Sequence, residues 1–211
     1  MKLWLLELLA CPIDKKYPLE LTILSWHEPK KALAQLKKLI EGYPQGNVLF
    51  KEMSSPVHFE HDETSGKWLI HDDLIIKPTP LTEYLNELQS KISELAVVHD
   101  VSCDEGENIL NMIRTEVNEH LSAAMKDLDS GNSPKEIISA ILPDLELLNL
   151  FKYHMEIEDA IIICPQCHRW YPVFEAIPQL LPDAVRNSNE DKQFQEKWQN
   201  SVKFPTPPTI K

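Results

Sequence analysis

Two cysteine-proline steps at opposite ends of the chain constrain its fold more than any other feature. Cys164-Pro165-Gln166-Cys167 sets two thiols three residues apart, and Cys11-Pro12 stands near the start. A tight turn between strands that carries C-x-x-C aims both sulfurs at one point, as in the knuckle of a zinc ribbon. Such a site is normally closed by four ligands. A second complete knuckle would have a cysteine at position 14, where this chain has Asp14. Carboxylate oxygen is a less common but allowed zinc ligand, so Cys11, Asp14, Cys164 and Cys167 are the candidate metal ligands. The competing reading is that Asp14 caps a turn and the thiols are free or disulfide-bonded. If the ends do meet, everything between them is an insert.

The flanking patterns agree with a sheet built from both ends. Residues 2–10 read as a short apolar helix that runs into Cys11, and 18–24 alternate apolar and polar with the period of a half-buried strand. Residues 160–163 form a buried strand leading into the knuckle, and 169–174 a return strand. Residues 177–182 are apolar but hold two prolines, which excludes a helix interior. The insert is mainly helical. Residues 30–41 form a helix with Leu33, Leu36 and Ile40 on one face, closed by Gly42 and Pro44. Residues 57–60 and 67–70 form a hairpin. Leu81, Leu85, Leu88, Ile92 and Leu95 make one apolar stripe, and Ile109, Ile113, Val117, Leu121, Ala124 and Leu128 a second. Ser133-Pro134-Lys135-Glu136 reads as a capping box, and Pro143 should kink or end the helix it opens. A weakly amphipathic helix with Phe194 and Trp198 follows Asn187, then a proline-rich end at 204–208 that should be mobile. The expected fold class is α+β. A small antiparallel zinc-ribbon-like sheet (1–24 and 157–183) carries an inserted helical lobe (25–156) and a mobile tail (184–211).

Composition removes several function classes. Asp and Glu outnumber Lys and Arg by 33 to 21, a net charge of -12, which argues against direct contact with a nucleic-acid backbone. Five glycines leave no Gly-rich phosphate loop, and the eight histidines are scattered. Four unevenly spaced cysteines fit a metal or redox site in a reducing cytosol rather than a disulfide framework. Cys103 reads as an isolated thiol and His168 as solvent-facing. Leu-Leu-Ala-Cys, residues 8–11, imitates a lipoprotein cleavage box, but the apolar stretch is short and Glu7 interrupts it. No run approaches a membrane span, so a soluble cytoplasmic protein is expected. A redox C-x-x-C should open a helix, whereas here Pro172 and the aromatic alternation point to a strand.

The apolar start, Leu-Leu-Ala-Cys-Pro, the Pro-Leu-Glu strand, the helical insert, Cys-Pro-Gln-Cys, the aromatic strand and Ile-Pro-Gln-Leu-Leu-Pro together resemble the Trm-one-twelve-type methyltransferase activators. The resemblance covers about 1–24 and 157–183, and the insert is longer than the family leads one to expect. It implies a non-catalytic subunit, zinc bound by Cys11, Cys164 and Cys167, and a class I methyltransferase partner in a heterodimer. That partner would use S-adenosylmethionine and act on tRNA, rRNA or a translation release factor. It also implies a partner surface beside the knuckle, for which Trp170, Phe174, Ile177, Leu180 and Leu181 are the candidates. The position of Asp14 departs from the family pattern. Two alternatives remain at this point: an independent zinc-ribbon interaction module, and a thiol redox enzyme.

Overall fold

The two ends of the chain meet through an antiparallel strand pair. In the computed structural model, which describes residues 1–49 and 53–205, β1 (Glu20–Trp26) lies against β6 (Ile157–Ile163). β7 (Trp170–Phe174) adds antiparallel to β6, and a two-residue β8 (Ile177–Pro178) closes that side. On the far side a strand from the insert, β5 (Val98–Asp100), runs parallel to β1, giving the order β5-β1-β6-β7-β8. The sequence reading expected an antiparallel sheet made by the chain ends alone. The edge strand β5 is the difference, and the long crossover between β1 and β5, which holds two helices and a small sheet, is what allows a parallel connection.

Alternation assigns the two faces of this sheet. Leu21, Ile23, Ala160, Ile162, Tyr171 and Val173 point into the main core, while Leu24, Ile161 and Trp170 form a separate cluster on the outer face. A register shift between Ile23 and Ser25 lets Leu24 and Trp26 lie on opposite faces. β6 ends in three consecutive isoleucines, Ile161 to Ile163, because both of its faces are covered there.

The insert contributes α1 (Pro29–Gly42), a small sheet of β2 (His58–Asp62), β3 (Lys67–His71) and β4 (Thr79–Pro80), then α2 (Leu81–Ser93). α1 buries Ala32, Leu36 and Leu39, a face rotated from the expected Leu33, Leu36 and Ile40. The α2 stripe is buried as expected. α3 (Asp104–Met112) passes through a π-helical turn (Ile113–Val117) into α4 (Asn118–Asp129). Its stripe recurs every four residues from Ile109 to Leu121, overshooting each 3.6-residue turn by about 0.4 residue. The wider π turn absorbs that drift and keeps all four residues on one buried face.

α5 (Pro134–Asn149) corrects one expectation and narrows another. The Ser133 side chain makes no cap, although its carbonyl accepts the Ile137 N–H, and Pro143 lies inside the helix without ending it. Leu145 to Phe151 are all buried, so burial of the following turns outweighs the lost hydrogen bond. Near the start, Leu3–Leu8 is a 3₁₀ rather than an α-helix, with Leu3 and Leu6 buried. Buried Lys152 pairs with Glu7 and, at 3.8 Å, with Glu94, tying this first turn to the helices. Sheet and helices share one continuous core.

The stretch expected as a mobile tail contains α6 (Ser188–Trp198), whose Phe194 packs on the outer sheet face; residues 206–211 lie outside the described residues. Among the described residues no helix is long and apolar enough to cross a membrane.

Candidate metal centre and partner-facing edge

The ends of β6 and β7 hold one knuckle open. The His168 N–H donates to the Cys164 carbonyl at 2.9 Å, the Cys164 N–H donates to the Arg169 carbonyl at 2.9 Å, and His168 sits at φ 55°. The segment 11–16 repeats this main chain. Its Lys15 N–H donates to the Cys11 carbonyl at 2.9 Å, its Cys11 N–H donates to the Lys16 carbonyl at 3.0 Å, and Lys15 sits at φ 60°. The two knuckles face each other across the sheet end.

They bring all four candidate ligands together. One donor atom from each of Cys11, Asp14, Cys164 and Cys167 lies within 4.8 Å of every other. A zinc ion with Zn–S near 2.3 Å and Zn–O near 2.1 Å needs S···S edges of about 3.8 Å and S···O edges of about 3.6 Å. Cys11 and Cys167 sulfurs are 3.6 Å apart, and Cys164 Sγ is 3.5 Å from Asp14 Oδ1. The donor set therefore fits a tetrahedral cation. All four cysteines are free thiols here, while Asp14 also accepts the Lys16 N–H at 3.2 Å and so caps its own turn.

Outer contacts tune the thiols. Burial pushes the Cys164 thiol up to about 12. Burial also acts upward on Cys11, but hydrogen bonds from the Tyr171 hydroxyl and the Asp14 and Ile13 N–H groups outweigh it and lower the thiol below its usual value. For Asp14 the upward push of desolvation is likewise overcome, by hydrogen bonds from Cys11, the Lys16 N–H and Cys164. Tyr171 Oη stands 3.3 Å from Cys11 Sγ. A redox pair needs an accessible thiolate at a helix N-terminus, whereas Cys164 is buried, raised, and followed by a strand. Cys103 lies apart, beside Asp100, and His168 is exposed.

The five residues expected at a partner surface divide. Phe174, Ile177 and Leu181 are exposed at 45%, 59% and 39%, on the β7–β8 edge. Leu180 turns inward against the main core. Trp170 is buried, stacked on Phe194 and touched edge-on by Phe204. Arg186, missed at the sequence level, lies over the Trp170 ring at 4.7 Å and donates to its carbonyl at 2.7 Å. The four-residue spacing of Phe194 and Trp198 was the available signal for this cover. Nothing in the spacing showed that it lands on Trp170.

Two facing Cys-Pro knuckles at the end of a five-stranded sheet define a zinc-ribbon-like α+β protein. A family model described as Trm112p-like protein matches residues 2–175, which spans both knuckles and the whole insert. The chain belongs to the Trm112p-like family, a family of methyltransferase activators. Searches of curated proteins and of solved structures find no match.

Proposed function

We propose that the chain is a non-catalytic subunit that activates and stabilises a class I methyltransferase using S-adenosylmethionine, in the cytoplasm, with tRNA, rRNA or a translation release factor as substrate. The observation that carries this reading is the exposed apolar line Phe174, Ile177 and Leu181 on a sheet edge beside the knuckle, in a chain of this family. A partner strand could extend that edge through main-chain hydrogen bonds while these side chains enter an apolar patch on it. Covering that patch would keep the methyltransferase soluble and folded. The net charge of -12 leaves contact with RNA to the partner.

We assign zinc to Cys11, Asp14, Cys164 and Cys167. Bound there, the ion would cross-link the two chain ends as a structural ion with four protein ligands. Tyr171 positions Cys11, and the Cys167 N–H, 3.5 Å from Cys164 Sγ, helps hold that sulfur. Affinity purification from the native cell tests the reading. A methyltransferase should accompany the chain, and Ile177→Asp combined with Phe174→Asp should remove it while the variant stays folded. Recovery of no methyltransferase with the native chain would sink the activator reading.

A further inference from the structure

We propose that residues 184–205 are a displaceable cover, and that the outer sheet face beneath them (Leu24, Ile161 and Trp170) is a second docking surface for the methyltransferase. This rests on the activator reading above.

The cover is built separately from the body it lies on. Phe194 belongs to the small outer cluster with Leu24, Ile161 and Trp170, and the main core contains no residue of α6. The family match ends at residue 175, so the whole cover lies beyond the matched part of the chain. The segment could lift away without dismantling the core, because local openings follow such boundaries between packing units.

Its fit is incomplete. A cavity of about 480 Å³ remains between α6 and the sheet edge, walled by Pro172, Phe174, Leu181 and Phe194 among others. The Trp198 indole N–H is buried with no hydrogen-bond partner among the described residues, a desolvated donor that leaving the sheet would return to water. Helix α6 has only Phe194 fully buried; half-buried Trp198, with Val202 and Phe204 after the helix, completes the apolar contact, and the remaining ties are polar. Lys197 pairs with Asp159 at 2.6 Å, and the Arg186 guanidinium donates to the Trp170 carbonyl at 2.7 Å. Such clasps weaken with salt.

What the cover hides continues the proposed partner edge. Trp170, Pro172 and Phe174 alternate onto the same face of β7, so the covered half meets the exposed half at Pro172. Lifting the cover would join Leu24, Ile161 and Trp170 to Phe174 and Leu181 as one apolar surface. The occupant we assign is the apolar face of the methyltransferase, competing with Phe194 and Phe204 for Trp170. Binding would then include the cost of opening, and loosening the cover would raise apparent affinity.

Hydrogen exchange on the full chain, with Phe194→Ala beside it, tests this. In the free chain, amides of α6 should exchange at least about a hundredfold faster than those of β6, because they open alone. Exchange of both together would overturn the proposal. With the methyltransferase bound, α6 should lose protection, whereas a gain would show it to be part of the interface and overturn the proposal. Phe194→Ala should bind the methyltransferase about tenfold more tightly than the native chain. Equal or weaker binding by the variant would overturn the cover while leaving the activator reading intact. Recovery of methyltransferase by neither would remove that reading and the docking surface with it.

Discussion

The knuckle at 11–16 and the knuckle at 164–169 share their main chain and differ in their ligands. Each begins Cys-Pro, each closes with the same pair of backbone hydrogen bonds, and each places its fifth residue in the left-handed region. One carries cysteine at its fourth position and the other Asp14. The turn is therefore specified by its backbone hydrogen bonds, and the identity of the fourth side chain changes the donor set rather than the turn. Their supports also differ. The second knuckle joins two paired strands, β6 and β7, whereas the first hangs between a short 3₁₀ helix and the start of β1. The first should depend more on what binds between them.

The largest expected effect comes from removing the shared ion. At free zinc a thousandfold above Kd, binding stabilises the fold by about 4 kcal/mol, so Cys164→Ser or a strong chelator should remove that amount. Elemental analysis and thermal denaturation would check it, and a zinc-free native chain of undiminished stability would break the account. Exchange protection should be lost first at 11–16.

Acid comes next. Zinc takes thiolates, and burial holds the metal-free Cys164 thiol up near about 12, so loading displaces protons. Affinity should therefore fall as pH falls, by up to about tenfold per pH unit for each proton displaced. Asp14, held below the ordinary carboxylate range, stays ionised through this window. A chelator titration from about pH 8 down to about pH 5 should find release following the thiols. Release tracking carboxylate protonation instead would count against this assignment of roles.

Asp14 gives a smaller and sharper contrast. Asp14→Asn should weaken zinc binding by about tenfold, or about 1.4 kcal/mol, whereas Asp14→Cys should strengthen it, with the fold unchanged in both. The smallest effect concerns the two left-handed residues. Lys15→Gly and His168→Gly should each stabilise the chain by about 1 kcal/mol, because glycine meets no steric penalty there. Unequal changes in denaturation midpoint would show that the knuckles are not equivalent.

Much of this arrangement was legible in the residues, for identifiable reasons. Cys-Pro at both ends carries the metal geometry locally, and the isoleucine run of β6 and the stripes of α2 and α3–α4 carry burial in their spacing. What escaped the sequence depends on distant partners. β5 is three residues long, and only its place beside β1 makes it a strand. The buried face of α1 is set by its packing on α3. Pro143 persists in α5 because of burial around it, which no local propensity records. The sequence makes Trp170 a partner-surface candidate because the segment that covers it lies on a helix of mostly polar residues.

On the activator reading, this chain sustains a methyltransferase without doing the chemistry itself. Its most direct test is methyl transfer from labelled S-adenosylmethionine by the co-purified enzyme, assayed with the chain present, stripped away and added back. The account predicts that activity falls on stripping, returns on add-back, and is not restored by Ile177→Asp combined with Phe174→Asp. Activity that persists undiminished without the chain would contradict it.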